Sequence, residues 1–418
     1  MVANQAIKQL NFKQVENVYI ILTLLTTLSA SFIWGVNTLF LLDAGLSNTE
    51  AFAANAFFTA GMVLFEVPTG VIADTWGRRA SFLIGTITLF VSTLFYLYLW
   101  QVNGAFYLWA ISSMAIGLGF TFFSGAVEAW IVDAMHDKGY KGSMESVFAK
   151  GQVAGGAAML LGSVAGGVVA QYSNLGVPFI LRTIMLLVTF FYALFYMRDW
   201  GFTPKKTSQP YQEMKTLFKA SLDHGWRKRP VRLIILAAPF TFGVGIFAFY
   251  AMQPYLLELY GDTKAYTIAG LTGAIVAGAQ MVGGIIVPYV RKLFRKRTTI
   301  LSVAAVVNVI ALVLIGFTDD FYIAIFLLII WAMVYSFEMP VRQAYLNEMI
   351  PGEQRATVLS FDSLVGSSGA VGIQPALGKV ADVHSYSTAY VLGGFIQIFS
   401  LPFILLARRE KVNADTIK

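Results

Sequence analysis

Twelve stretches of this chain are each long and apolar enough to cross a lipid bilayer as a helix. Nothing else in the sequence constrains its fold as much. One crossing takes roughly 20 residues of predominantly apolar sequence. The runs fall near 17–43, 48–73, 79–101, 105–134, 145–171, 175–197, 231–258, 265–290, 298–317, 321–349, 356–382 and 387–407. A transmembrane β-barrel is excluded, because its strands alternate polar and apolar residues and these runs are continuous. A soluble enzyme is excluded by charge. Asp, Glu, Lys and Arg make up 13% of the residues, against about 25% in soluble domains. The expected class is an all-α membrane protein with twelve transmembrane helices.

The N-terminal residues through Glu16 are polar and lead into the first apolar run without a small-residue cleavage pattern, so that helix is expected to be retained. The chain has no cysteine, which removes disulfides, thiolate metal sites and cysteine nucleophiles. His136, His224 and His384 lie far apart in expected loops, so no metal centre is expected. Gly372 to Lys379 is the nearest approach to a phosphate loop. It is one residue too long, ends before Val380 rather than Ser or Thr, and lies inside a helix. No cofactor and no nucleotide chemistry are expected.

Orientation follows from the basic residues, which concentrate in cytoplasmic loops. With the N-terminus inside, Lys8, Lys13, Arg78, Arg79, Lys138, Lys141, the Arg198–Arg232 stretch, Arg291 to Arg297, Arg355 and the residues from Arg408 onward share one side. The other side keeps Lys264 and Lys379 beside Asp43, Glu50, Asp262, Asp319 and Asp320. Both termini are therefore expected in the cytoplasm. The net charge of +7 faces anionic lipid, not nucleic acid. Within the long basic connection 198–230, Tyr211, Met214, Phe218 and Leu222 recur at helical spacing before Gly225. They fit either a short amphipathic surface helix or a solvated linker.

An internal repeat divides the chain. Gly70 to Arg79 matches Gly284 to Pro288 and the basic turn after it, at an offset of 214. Glu128 to Asp133 matches Gln343 to Glu348, and Lys141 to Ser146 matches Arg355 to Ser360, at offsets of 215 and 214. The expected domains are a six-helix bundle over 1–197, the linker 198–230 and a second bundle over 231–418. Parallel repeats related by an axis along the membrane normal typify transporters in which one half rocks against the other.

Between the second and third helices, Gly70, Asp74, Gly77, Arg78 and Arg79 fill the pattern G-x-x-x-D-x-x-G-R-[K/R]. This resembles the loop 2–3 signature of the major facilitator superfamily, and motif, position, helix count and repeat agree over essentially the whole chain. The resemblance implies the major facilitator fold and a conformational latch at these five residues, with Asp74 closing the cytoplasmic side. Physically, Asp74 can pair with Arg78 and cap the N-terminus of a neighbouring helix. Pro288 stands at the corresponding place in the second half, so the acidic latch is one-sided. Two patterns of the superfamily's drug–proton antiporters fit poorly. Ile111 to Gly117 lacks the helix 4 Arg and Gln, and Gly162, Ser163, Gly166 and Gly167 lack the helix 5 proline. Those small residues read better as helix packing.

Charge at a helix centre costs about 2.5–3.5 kcal/mol on insertion scales, so each instance is a functional candidate. Glu338 and Arg342 stand one turn apart in the tenth helix with Pro340 between them. The spacing puts both on one face, where they can pair, and the proline can kink the helix. Glu128, expected to be buried, and Glu66, two residues before Pro68, are the other candidates for carrying a proton. Lys150 or Arg355 could bond Glu128, and Glu66 could instead serve mainly to bend its helix. Lys150 and Arg182 lie near helix ends and are expected to snorkel. Asp362 stands a turn and a half into the eleventh helix without an assigned role.

Aromatic residues cluster on the helices that line the central cavity in the superfamily. If Trp34, Phe247 or Tyr250 faces inward beside Glu338, the site suits an amphipathic or aromatic compound, a cationic one included, with Asn37, Gln253 and Gln280 as orienting groups. The expected protein is a monomer in the cell membrane, the inner membrane if the source is bacterial, whose partners are a small-molecule substrate, protons and the lipid bilayer. Three functions compete. One is proton-coupled efflux of an amphipathic compound. A second is uptake of a small metabolite or organic anion, with Arg342 as anion clamp. The third is a receptor or scaffold that has lost transport.

Overall fold

A computed structural model describes residues 11–204, 226–350 and 355–417. The expected surface helix around Tyr211 to Gly225, together with Lys8, lies outside the described residues. The first half contains α1 (Phe12–Trp34), α2 (Asn37–Asp43), α3 (Asn48–Trp76), α4 (Arg78–Val102), α5 (Phe106–Thr121), α6 (Ala126–Asp137), α7 (Met144–Tyr172) and α8 (Gly176–Tyr196). The second half contains α9 (Arg229–Tyr260), α10 (Tyr266–Leu293), α11 (Arg297–Phe317), α12 (Phe321–Met349), α13 (Arg355–Val383), α14 (Tyr386–Ile398) and α15 (Ser400–Arg409). Among the described residues, 11 spans are long and apolar enough to cross a membrane. The remaining long helix, α13, carries Asp362, Lys379 and Asp382 within its 29 residues. The fold is two six-helix bundles of the major facilitator type.

Three of the expected crossings are interrupted within their length. The first breaks at Gly35 and Val36, the fourth between Phe122 and Gly125, and the twelfth at Phe399. A hydropathy run registers length and polarity, and both are blind to a local change in backbone angles. At the first break the two halves nearly touch. A Cβ on Gly35 would lie 2.8 Å from Gly270 Cα, so neither position has room for a side chain.

The halves meet through α3 against α13 and α7 against α10. Gly162 and Gly166 of α7 pack on α1, and Gly167 packs on α10, which is the helix-packing role read from their small size. One end of the molecule carries Arg78, Arg79 and Arg291 to Arg297; it is called the basic end below. Two apolar clusters lie near that end, one built from residues such as Val15, Trp130 and Met197, the other from Val231, Tyr345 and Ile404. Each of these is confined to one half. The two clusters toward the opposite end are shared: Phe52 joins the second half's cluster, and Leu257, Ala265 and Ala269 join the first half's. Apolar cohesion between the halves is therefore concentrated at the opposite end.

Candidate functional site

Hydrogen bonds reinforce that seal. Where α1 stops, the Trp34 carbonyl and the Thr38 amide, which would bond to each other in a continuous helix, are separated. The Gln253 side chain of α9 fills the gap. Its Oε1 accepts from Thr38 N at 2.8 Å and its Nε2 donates to Trp34 O at 2.8 Å. Thr38 Oγ1 also donates to Tyr250 O at 3.0 Å. Nearby, the Asp382 carboxylate accepts from the amides of Asn48 and Thr49, both at 2.8 Å, and from Thr49 Oγ1 at 2.5 Å. These are the first amides of α3, where the helix dipole favours an anion. Tyr386 OH donates to Asn48 Oδ1. Two side chains of the second half thus satisfy helix ends of the first.

The loop motif stands at the basic end. Arg78 and Asp74 form an ion pair at 2.5 Å. Gly77 adopts φ 107°, and a Cβ there would come within 2.4 Å of Asp199 Oδ2, so only glycine serves. Asp199 caps α4: its carboxylate accepts from Arg79 N at 2.8 Å. Arg79 Nη2 donates to Leu194 O at 2.7 Å. Asp199 follows the last helix of its half, outside the membrane spans, and burial pushes its carboxyl above the ordinary value against the pull of the Arg79 amide and guanidinium. The second half repeats the device. Asp415 follows the final helix and accepts from Thr298 N at 2.8 Å and Thr298 Oγ1 at 2.9 Å, capping α11. The two aspartates stand one repeat length apart, a signal present in the sequence and passed over. The first side chains of α13, Arg355 among them, lie outside the described residues.

The charged cluster of the second half differs from the pairing expected. Glu338, Arg342 and Asp362 are all buried, at 4%, 4% and 5% exposure. Arg342 pairs with Asp362 rather than Glu338, through a bidentate contact whose Nε–Oδ2 arm is 3.1 Å. Glu338 Oε2 is left without a hydrogen-bond partner. Helical spacing put Glu338 and Arg342 on one face correctly, but α13 brings a carboxylate with better geometry to the guanidinium. Thr241, Phe242, Tyr335, Glu338, Met339 and Arg342 line a small cleft.

Glu128 and Glu66 are exposed, which corrects the expected burial of Glu128. Glu66 accepts from Ser124 Oγ at 2.7 Å. Lys150 pairs with Glu16 at 2.6 Å instead of with Glu128. Phe247 is enclosed between Phe52 and Tyr390, with ring centroids at 4.9 and 6.0 Å, and so belongs to the seal. Trp34, Phe249 and Tyr250 form a run of edge-to-face rings. Asn37 donates to Asn55 Oδ1 at 3.0 Å. Gln280 is half-buried, and its carbonyl accepts from Ser336 Oγ at 2.7 Å. Arg182 does not snorkel. It is 2% exposed, donates from Nε to Thr93 Oγ1 at 3.1 Å and lies over the Phe120 ring at 5.7 Å.

Comparison with known proteins bears on this arrangement. The model of the Major Facilitator Superfamily matches residues 19–374 and again 292–416. An uncharacterised MFS-type transporter of Methanocaldococcus jannaschii is 22% identical over 313 residues, 71% of this chain and 78% of that protein. Among solved structures, the nucleoside transporter NupG superposes with a TM-score of 0.79 at 9% identity, over 94% of this chain and 99% of NupG. A D-xylose–proton symporter gives 0.66 at 15% identity, over 94% and 97%. At these identities the likeness is one of fold.

Proposed function

We propose that this chain, which belongs to the Major Facilitator Superfamily and is a secondary transporter of the membrane, moves a small amphipathic or aromatic organic compound by alternating access, driven by protons and directed outward. The observation that carries the proton is Glu338. A carboxyl group shielded from water, with one oxygen unpaired and beside a fixed Arg342–Asp362 pair, changes the local charge by one whenever it gains or loses a proton. A membrane potential supplies about 2.3 kcal/mol per charge per 100 mV, enough for such a step to bias the cycle. Proton coupling in the D-xylose symporter of the same fold is consistent with this reading.

The basic end is assigned to the cytoplasm by the positive-inside rule, which puts both termini there. The seal of Gln253, Asp382 and Phe247 then faces outward, and the structure corresponds to the inward-facing arm of the cycle. Glu66 and Glu128 are further candidates for the proton, and Gln280 for orienting the substrate. Uptake of a small metabolite is the second reading. Arg342 gives it no support, since Asp362 occupies its guanidinium. A non-transporting receptor has less support, because the loop motif is complete, with its Asp74–Arg78 pair and Gly77 turn in place. Reconstitution in proteoliposomes under an imposed pH gradient, with substrates loaded on either side, tests the proposal. Pumping toward the outside is expected. Flux that ignores the gradient contradicts proton coupling, and accumulation in the opposite direction favours uptake.

A further inference from the structure

Arg182 is a full charge inside a membrane bundle, and its surroundings do not neutralise it. Its Nη2 has no hydrogen-bond partner. Among the described residues, no carboxylate forms an ion pair with it. It contacts Thr93 and the face of Phe120. An isolated buried cation is costly, and a cation–π contact offsets only part of that cost.

The scaffold does not demand this charge. One repeat length on, Gln397 and Asn308 occupy the positions of Arg182 and Thr93, both buried and both neutral. Away from the basic end, Trp34 Nε1 and Asn55 Nδ2 of the first half are also buried donors without acceptors. Asn55 is tied through Asn37 to the broken segment that Gln253 plugs, and Trp34 contacts the Phe249 ring beside Tyr250. Tyr250 itself comes from the second half, and Arg182 is packed in the first half on Thr93 and Phe120. At about 1.5 Å per residue from Gly176, it sits roughly 9 Å in from the sealed end. Three donors lacking acceptors beside a run of aromatic rings call for a ligand that brings acceptor oxygens and a flat apolar body.

We infer that Arg182 receives the carboxylate of the transported compound, which makes the substrate class an aromatic or amphipathic organic anion. This deepens the transport reading above and rests on it. The guanidinium fork fits a carboxylate through two parallel hydrogen bonds. Trp34 and Tyr250 cover the apolar part, and Glu338 on the opposite half is left free for the proton. Arg182 is thereby the specificity-determining residue of the first half.

The test compares acids with their neutral isosteres on the purified protein in uncharged detergent, where no anionic lipid competes. Benzoate, phenylacetate, indole-3-acetate and octanoate are each paired with the corresponding amide, and binding is read from thermal stabilisation and tryptophan fluorescence. At least one acid should bind the wild type tenfold or more tightly than its amide. Arg182→Gln should abolish that preference, and Arg182→Lys should keep part of it. If every acid binds no better than its amide, the inference is wrong; that comparison needs no variant. A folded Arg182→Gln protein that retains the acid preference also overturns it. Vesicle flux separates this inference from the transport reading. Neutral or cationic compounds moving while acids do not would remove the anion and leave the transporter. Acids that bind through Arg182 but never cross would remove the transporter and leave the anion.

Discussion

Arg342 has two acidic neighbours, and the structure joins it to the one on a different helix. Asp362 holds the guanidinium by both oxygens while Glu338, one turn away, keeps Oε2 unbonded. The two acids therefore respond differently to substitution. Asp362→Asn leaves a buried cation with half its partner and should cost about 3 kcal/mol, seen as a large fall in melting temperature in detergent. The double variant Arg342→Met/Asp362→Leu should recover most of that loss. Glu338→Gln should leave the melting temperature near wild type and remove the pH dependence of flux; a variant still driven by the pH gradient would place the proton site elsewhere. Helical spacing placed Glu338 and Arg342 on one face, and that was the legible part. The direction a side chain faces was not. Arg182 stands near a helix end and reads as a snorkelling residue, yet it turns inward to Thr93. Glu128 reads as buried and is exposed, because the break before Ala126 re-aims the helix that carries it.

Helix ends, more than helix centres, are where the halves are fastened. Gln253 occupies a backbone hydrogen bond that α1 and α2 would otherwise close, so the break and the seal depend on one side chain. With Gln253→Leu, the Thr38 amide is free to return to the Trp34 carbonyl and the seal should loosen. Because the chain has no native cysteine, a single cysteine placed at Asn48 reports this directly. Its labelling by a membrane-impermeant maleimide from the sealed side should rise several-fold in the Gln253→Leu background. Unchanged labelling would mean that the plug is incidental. At the basic end, Asp199→Ala removes the α4 cap and should cost about 1 kcal/mol. Burial raises the Asp199 carboxyl above its unfolded value, so the folded state takes up this proton first as pH falls. Its contribution to stability should then increase on acidification through the range just above the ordinary carboxylate value, and Asp199→Asn should flatten that part of the stability–pH curve. Helix number and order were readable from hydropathy. The caps were not, because Asp199 and Asp382 act on amides far away in sequence.

For the whole molecule, the repeat was the most informative feature of the sequence. It anticipated two bundles of one design, and the paired caps of Asp199 and Asp415 show it extending past the last helix of each half. What it could not anticipate is the asymmetry laid over that design: a cation at Arg182 against Gln397, and an acid at Glu338 in one half. A rocking carrier has to part its halves at the end where they now share Phe52, Phe247, Gln253 and Asp382. The paired substitution Thr49→Cys/Asp382→Cys tests this most directly, since those side chains touch across the seal. In proteoliposomes the account predicts that oxidising this pair stops flux and that reduction restores it. Full cross-linking with undiminished flux would contradict it.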